Sequence, residues 1–215
     1  MRIITAICSQ AQNVVIPRIL RKRSPGALTK LKTARLAAMV IVREARYGAI
    51  MTHSEGPQHI TQPQLAQLAD AAAASARRRS HILLHADHQD QVQRLLIALE
   101  PDSYVRPHLH SDQWEMIVLL RGRLDLLIFG QKAELTQRLA MSTASPVVQI
   151  SRGIWHGGVA LDSQTLVMEV KPGPYRLNEF AAWGPEEGDA ASGEFVRWTK
   201  AASLGVKWQT PASEA

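Results

Sequence analysis

The pattern of apolar and polar residues changes along the chain from a helical period to the alternation typical of strands. A first segment carries an apolar stripe at helical spacing, formed by Leu65, Leu68, Ala69 and Ala72. Thr61 is a favourable N-cap, and Pro63 suits a first helical turn. The segment ends in Arg77-Arg78-Arg79, whose positive charges suit the C-terminal end of a helix dipole. We therefore predict a helix from Thr61 to this basic triplet.

Short runs rich in aliphatic and β-branched residues follow this helix at regular spacing, separated in several places by glycine or proline. They predict strands at 92–99, 116–121, 123–129, 135–141, 147–150, 154–161 and 165–171. A second helix is predicted only near 194–203. Many short strands with few helices between them are typical of an antiparallel sandwich or barrel, so the predicted fold class is mostly β.

The net charge of +6 originates in the first part of the chain. Residues 1–50 contain ten Lys or Arg and one acid, Glu44, whereas the other 165 residues contain fifteen bases and eighteen acids. We therefore expect no nucleic-acid-binding face on the folded body. Residues 1–59 are predicted to form a basic N-terminal extension. This extension is interpreted as a segment that binds a partner such as nucleic acid or an import receptor, as a transit peptide, or as the result of a start codon assigned upstream of Met39 or Met51.

Composition limits the class of protein further. With 215 residues, 46% of them hydrophobic, the chain is long enough for one sizeable core. No apolar run approaches the roughly 20 residues of a membrane-spanning helix, so no span is expected. The single cysteine, Cys8, is incompatible with an intrachain disulfide and fits a reducing, cytoplasmic location.

The histidines suggest a metal centre. His108 and His110 are two residues apart in a strand context and therefore share one face. Glu115 follows after a short connection, and His156 stands at the start of a later strand behind Gly153. Imidazole and carboxylate ligands suit one divalent ion such as Fe, Mn, Zn, Ni or Co. Taken singly, His108 and His110 are also compatible with an exposed pair, His156 with a core histidine and Glu115 with a surface acid. Only their joint spacing favours a metal site.

These residues resemble the two motifs of the cupin superfamily. The segment from Asp102 to Gly122 matches the first motif at its two histidines, its glutamate and its final glycine, with Asp102 in place of the first glycine. The second motif is matched at Gly153 and His156, while Ser145, Ser151 and Ala160 replace its first glycine, its proline and its asparagine. The resemblance implies a small double-stranded β-helix, or jelly-roll, barrel with a metal bound by His108, His110, Glu115 and His156.

A longer resemblance, over about residues 61–200, is to the WbuC family of cupin-fold metalloproteins. It is carried by the strings VQRLLIALEPDSYVRPHLH, LRGRLDLLIF, GIWH and EVKPGPY. Ile97 departs from the asparagine expected there, and the stretch 81–88 also looks altered. Proteins of this family are often encoded in O-antigen polysaccharide clusters, so the resemblance implies a sugar or sugar nucleotide as substrate.

Four further residues are candidates for contact with a substrate. Tyr104 and Arg106 share the alternation of His108, so they are expected to face the same cavity. Arg106 would bind a carboxylate or phosphate, and Tyr104 would exchange a proton. The alternatives are that Arg106 pairs with an acid such as Asp112 and that Tyr104 fills the core. Lys171 and Arg94 are the other candidates, with a rim lysine and a buried ion pair as their alternatives.

Two classes of function are compatible with this sequence. The first is a metal-dependent enzyme, an isomerase, an epimerase or a dioxygenase, and the second is a module that binds or senses a small molecule without turnover. The predicted organisation is an extension at 1–59, a helix and connection at 60–90, the barrel at 91–175 and a C-terminal extension with a short helix at 176–215. A homodimer is a further expectation, since a second copy would cover exposed strand edges.

Overall fold

The structure of the chain is a computed structural model that describes residues 49–51 and 56–210. Most of the predicted N-terminal extension, including Cys8 and Met39, therefore lies outside the described residues. The elements are β1 (Ala49–Met51), α1 (Gln62–Ala74), β2 (Arg79–Leu83), β3 (Val92–Leu99), β4 (His108–Leu109), β5 (Glu115–Arg121), β6 (Leu124–Phe129), β7 (Leu135–Met141), β8 (Val147–Ile150), β9 (Trp155–Ala160), β10 (Thr165–Pro172), β11 (Glu179–Phe180) and α2 (Ala190–Ala201).

The strands form two sheets that enclose the core. The larger sheet has the order β1-β2-β3-β10-β5-β8 and the smaller one the order β11-β4-β9-β6-β7. From β4 onward the chain passes repeatedly from one sheet to the other, and within the described residues all pairings except β1 with β2 are antiparallel. Leu99 and Ile117 of the larger sheet pack with Leu124 and Leu126 of the smaller one. This is a mostly β jelly-roll barrel with an N-terminal helix and a C-terminal extension, which confirms the predicted fold class.

Helix α1 covers the outer face of the larger sheet. The Thr61 N–H donates to Gln64 Oε1 over 2.9 Å, so a reciprocal cap begins the helix where the sequence predicts it. Leu68, Ala69 and Ala72 are fully buried and pack on sheet residues such as Leu96. The predicted stripe is therefore the contact face of the helix.

The predicted end of this helix is wrong. The helix ends at Ala74, and the basic triplet forms a turn and the first residue of β2. Arg78 has φ +56°, which a continuing helix does not allow. The reason is tertiary, because β2 gains a ladder of hydrogen bonds with β3, in which Ile82 is the Cα partner of Leu96. Strand β2 thus adds residues from the predicted connection 60–90 to the larger sheet.

Helix α2 packs on the outer face of the smaller sheet. Its buried Phe195 and Val196 contact Leu127 and Val159. The helix spans Ala190–Ala201 and therefore begins and ends earlier than the predicted 194–203. All seven predicted strands are present, with each end within one residue of the prediction. No helix in the part of the chain that the structure describes is both long and apolar enough to cross a membrane.

Candidate metal centre and its cavity

Four side chains, three of them in strands and one directly after a strand, meet between the two sheets. His108 lies in β4 and is the direct Cα partner of His156 in β9, so the antiparallel ladder holds the two imidazoles side by side. His110 follows β4, and its carbonyl accepts a hydrogen bond of 2.7 Å from the Gly153 N–H. Glu115 begins β5 in the larger sheet. Because β4 and β9 belong to one sheet and β5 to the other, the cluster bridges the barrel.

The potential ligand atoms of these four residues all lie within 4.8 Å of one another. The Glu115 Oε2 atom is 2.9 Å from His156 Nε2 and 3.6 Å from His110 Nε2. The imidazole rings of His108 and His156 have centroids 4.3 Å apart. His110, Glu115 and His156 expose at most 5% of their surface, and His108 exposes 9%. The cluster is therefore a compact, nearly dry group of nitrogen and oxygen donors.

Backbone hydrogen bonds orient two of the imidazoles. The Nδ1 atoms of His108 and His156 donate to the carbonyls of Arg106 and Ile154, each over 2.8 Å. In a neutral imidazole, a bond donated from Nδ1 leaves the lone pair on Nε2, which is the form that ligates a metal. The Nε2 atom of His156 faces Glu115 Oε2 at 2.9 Å. His110 Nε2 is buried and has no hydrogen-bond partner among the described residues. Since a buried unsatisfied nitrogen is costly, this cluster fits a cation that would accept the lone pair.

The electrostatics of the cluster agree with this fit. Burial and the neighbouring His156 lower the pKa of His108 to about 3, so its imidazole is neutral at pH 7. Burial alone would raise the pKa of Glu115, but the imidazoles of His110 and His156 and the charge of Lys171 hold that pKa well below its usual range. A neutral His108 imidazole beside an ionised Glu115 carboxylate matches the protonation states that a divalent ion requires of its ligands.

The cluster borders a cavity of about 540 Å³ inside the barrel. His108, Glu115 and His156 contribute to its wall. Much of the rest is apolar, formed by Ile97, Leu99, Ile117, Leu124, Leu126 and Val167. The volume is in the range of pockets that bind small molecules, and the polar groups converge at one part of it.

Two of the predicted substrate residues lie at this cavity. The Lys171 ammonium is 2.7 Å from Glu169 Oε1 and 3.7 Å from Glu115 Oε1. Burial alone would lower the pKa of Lys171, but the two carboxylates raise it above its ordinary value, so the side chain is a cation. Arg106 also lines the cavity and pairs with an acid, as in the alternative interpretation, but this acid is Glu186, whereas Asp112 pairs with Arg176.

The structure places the other two candidates elsewhere. Tyr104 packs against Phe195 under α2, and its hydroxyl donates to the Pro185 carbonyl over 2.7 Å. The alternation that predicted otherwise fails because the residues before β4 are not in a strand. Arg94 lies in β3 with the opposite parity to the cavity-lining Ile97, and its guanidinium pairs with Asp90. Neither side chain lines the cavity.

Several cavity residues were not identified from the sequence. Glu169 precedes Lys171 by two residues in β10, so the alternation of that strand was a usable signal for it. Arg77 and Arg79 were assigned to a helix end, and Glu186 and Glu187 lie in a segment without regular structure. Glu169 and these two arginines and two glutamates all line the cavity. Their meeting depends on the path of that segment, which no local pattern specifies.

Comparison with known proteins gives distant similarities. Residues 60–141 match a domain of unknown function (DUF6016), and no curated protein matches the chain. KdgF from Halomonas sp. is 16% identical with a TM-score of 0.38, over 46% of this chain and 80% of that one. Oxalate oxidase in complex with the substrate analogue glycolate is 16% identical with a TM-score of 0.40, over 50% of this chain and 57% of that one. The polyketide cyclase RemF from Streptomyces resistomycificus is 21% identical with a TM-score of 0.41, over 51% of this chain and 73% of that one.

Proposed function

We propose that this chain is a metal-dependent enzyme that acts on a small, oxygen-rich molecule bound in the barrel cavity. The observation that carries the proposal is the buried cluster of three imidazoles and one carboxylate at the wall of an accessible cavity. A structural zinc site would be enclosed by its four ligands, whereas this cluster borders open space. That arrangement favours a centre that meets a substrate.

His108, His110, Glu115 and His156 would hold the ion, which can be Fe, Mn, Zn, Ni or Co, since this ligand set serves all of them. A divalent ion held there would supply Lewis-acid polarisation of a substrate oxygen. Four protein ligands leave two positions of an octahedral ion for the substrate or water. Backbone hydrogen bonds already orient the imidazoles of His108 and His156, so binding of an ion would require little rearrangement of these ligands.

The surrounding residues would bind and orient the substrate. Lys171 is held by Glu169 beside Glu115, so its ammonium group can donate a hydrogen bond to a substrate oxygen anion without large rearrangement. The apolar wall would exclude water from the reacting atoms and strengthen these charge interactions. A sugar or sugar nucleotide, implied by the resemblance to the WbuC family, provides the hydroxyl groups that such a site would engage.

The proposal is tested by purifying the protein without added metal, measuring its metal content, and assaying turnover of a panel of sugars and sugar nucleotides. We expect about one divalent ion per chain and product formation that His108→Ala abolishes. His59→Ala is the matched control, because His59 is exposed and stands outside the cluster. Loss of bound metal in His108→Ala without loss of turnover would refute the proposal.

Binding without product would favour the second class, a module that senses or stores a metabolite. The same assay separates the two classes if binding is measured in parallel by calorimetry. Isomerase, epimerase and dioxygenase activities are distinguished by the products, and only the last consumes dioxygen.

A further inference from the structure

An arginine cluster lies at the cavity together with the proposed metal centre. Arg77, Arg79 and Arg106 all line the cavity, although they come from two separate parts of the chain. The side chains of Arg79 and Arg106 are only 19% and 16% exposed, whereas that of Arg77 is 49% exposed. Buried guanidinium groups are expensive unless they are paired, so their partners indicate what the cluster is built to bind.

The partners are two consecutive carboxylates from the segment between β11 and α2. Arg77 donates to both oxygens of Glu187 from Nε and Nη2, over 2.8 Å each, and Arg79 donates to the same carboxylate over 2.7 Å. Arg106 pairs with Glu186. Proteins bind carboxylate and phosphate groups through such paired hydrogen bonds from guanidinium groups. We call this arrangement of Arg77 and Arg79 around Glu187 the arginine fork.

Two of the three arginines, Arg79 and Arg106, are less exposed than their carboxylate partners and have further contacts that fix them. Arg79 also donates to the Tyr104 carbonyl over 2.6 Å, which anchors its guanidinium to the backbone. The Arg106 guanidinium lies 4.9 Å from the centre of the Phe180 ring. In contrast, Glu186 and Glu187 are 69% and 38% exposed. The single ion pair of the mostly exposed Glu186 contributes about 0–1 kcal/mol, so an anion can displace this carboxylate readily. The Glu187 carboxylate is held by two arginines, so an anion that replaces it must form the same forked bonds, which phosphate and carboxylate groups can do.

Positive charge is in excess at this place. Three guanidinium groups face two carboxylates, and the buried Nε of Arg106 has no hydrogen-bond partner among the residues that the structure describes. Burial and then the neighbouring charge of Arg77 lower the pKa of Arg79 from its ordinary value, although Glu187 acts in the opposite direction. The Phe180 ring, whose centre is 6.3 Å from that of His108, connects this region to the metal-binding residues.

We propose that Arg77, Arg79 and Arg106 form an oxyanion subsite for a phosphate or carboxylate group of the substrate, which Glu186 and Glu187 occupy when no ligand is bound. The inference rests on the proposed function and narrows it, because the substrate would be anionic at one end and offer oxygen ligands at the other. Entry of the anion would release Glu187 from its fork. Because a ligand must displace the two glutamates, only a ligand with a negative charge of its own would bind at the arginines.

The test is a calorimetric titration of the metal-free full chain with inorganic phosphate and, separately, with acetate. We expect Glu187→Gln to bind the preferred anion several-fold more tightly than the unmodified chain, because the internal competitor is weakened. Arg77→Gln and Arg79→Gln should each weaken binding by about tenfold. Arg77→Gln is the safer variant for folding, since its side chain is half exposed. Tighter binding of inorganic phosphate than of acetate identifies the group as a phosphate, and the reverse identifies it as a carboxylate.

The chain offers a matched control pair. Arg123 donates to both oxygens of Asp162 over 2.9 and 2.6 Å in the same forked geometry, but the pair is not among the cavity-lining residues. Asp162→Asn and Arg123→Gln should leave anion binding unchanged. Equal affinity in Glu187→Gln and the unmodified chain, or an equal gain in Asp162→Asn, would overturn the subsite. Metal content is measured on the same variants as purified, before the ion is removed for the titration. The subsite variants should retain the ion, and His108→Ala should retain the response to phosphate, so the two proposals can fail independently.

Discussion

Glu115 is the single carboxylate of the four-residue cluster, and it lies between the imidazoles and the Lys171 ammonium. Its two oxygens face His156 on one side and Lys171 on the other, at 2.9 and 3.7 Å. A neutral amide at this position would keep the shape of the side chain but remove the negative charge that attracts a cation. The carboxylate is therefore the residue whose chemistry, separate from its volume, decides metal affinity.

We expect Glu115→Gln to lower the affinity for a divalent ion by at least about tenfold, because the charge on the ligand is lost while its size is kept. Isothermal titration of the metal-free protein with Co²⁺ or Zn²⁺ measures the change. Glu179→Gln is the control, since Glu179 is an exposed carboxylate in β11. Unchanged affinity in Glu115→Gln would remove this residue from the ligand set.

His81 in β2 links stability to pH outside the metal centre. Burial, followed by the charges of Arg77 and Arg79, lowers its pKa to about 4. The unfolded chain therefore binds a proton on His81 below about pH 6.5 while the folded chain does not until about pH 4. The stability associated with this histidine is complete above pH 6.5 and is lost as the pH falls through this interval.

We expect His81→Asn to reduce the acid sensitivity of the free energy of unfolding between pH 7 and pH 4.5 by on the order of 1 kcal/mol. Urea unfolding of the metal-free protein at the two pH values gives this difference. The exposed His59→Asn variant should retain the full pH dependence. If His81→Asn and the unmodified protein lose the same stability on acidification, His81 is not the source of the pH dependence.

At the scale of the elements, the turn between β5 and β6 depends on one glycine. Gly122 has φ +82°, and a Cβ there would lie 2.5 Å from Thr165 Oγ1. Thr165 is fully buried at the start of β10, where its hydroxyl donates to the Asp162 carbonyl over 2.7 Å. A side chain at Gly122 would therefore strain the turn and push against an ordered neighbour.

Gly122→Ala should destabilise the protein by about 2–3 kcal/mol, of which about 1–2 kcal/mol is the cost of a left-handed conformation for alanine. Gly188→Ala is the matched control, because Gly188 has φ +96° but nothing lies within 4 Å of the added Cβ. Chemical denaturation of both variants separates the steric contribution from the backbone contribution. Equal losses in the two variants would contradict the contact with Thr165.

The elements also show which features the sequence can predict. Strands such as β3 and β10 are long, aliphatic and central, so local pattern and tertiary burial agree there. Strand β2 was missed because its first residues continue a basic helix-like segment, and its conformation depends on pairing with β3. Strand β11 has two residues, which is too short for any periodic signal.

The same distinction applies to the site. The four clustered residues were predictable because two compact motifs carry them and β-sheet alternation orients them. The arginine fork was not, because Glu187 is 110 positions from Arg77 along the sequence and reaches it through an irregular segment. Tyr104 shows the converse error, since alternation was assumed where the backbone is not a strand.

At the scale of the whole molecule, the cluster joins the two sheets of the barrel, whose inner faces also pack together in the hydrophobic core. His108 and His156 belong to the smaller sheet and Glu115 to the larger one, so an ion bound to all of them cross-links the two sheets. The unfolded chain has no such arrangement of ligands. Binding energy at this site is therefore expected to stabilise the native barrel selectively.

A free divalent ion at one hundred times its dissociation constant should stabilise the fold by about 2.7 kcal/mol, which raises the midpoint of thermal unfolding by about 5–10 °C. Differential scanning fluorimetry over a concentration series of Mn²⁺, Co²⁺, Ni²⁺ and Zn²⁺ measures the shift and ranks the ions. His108→Ala removes one ligand from the smaller sheet, so its midpoint should not depend on the ion, whereas His59→Ala should respond like the unmodified chain. A shift of equal size in His108→Ala would mean that the stabilising ion binds elsewhere, and the two sheets would then not be linked through this cluster.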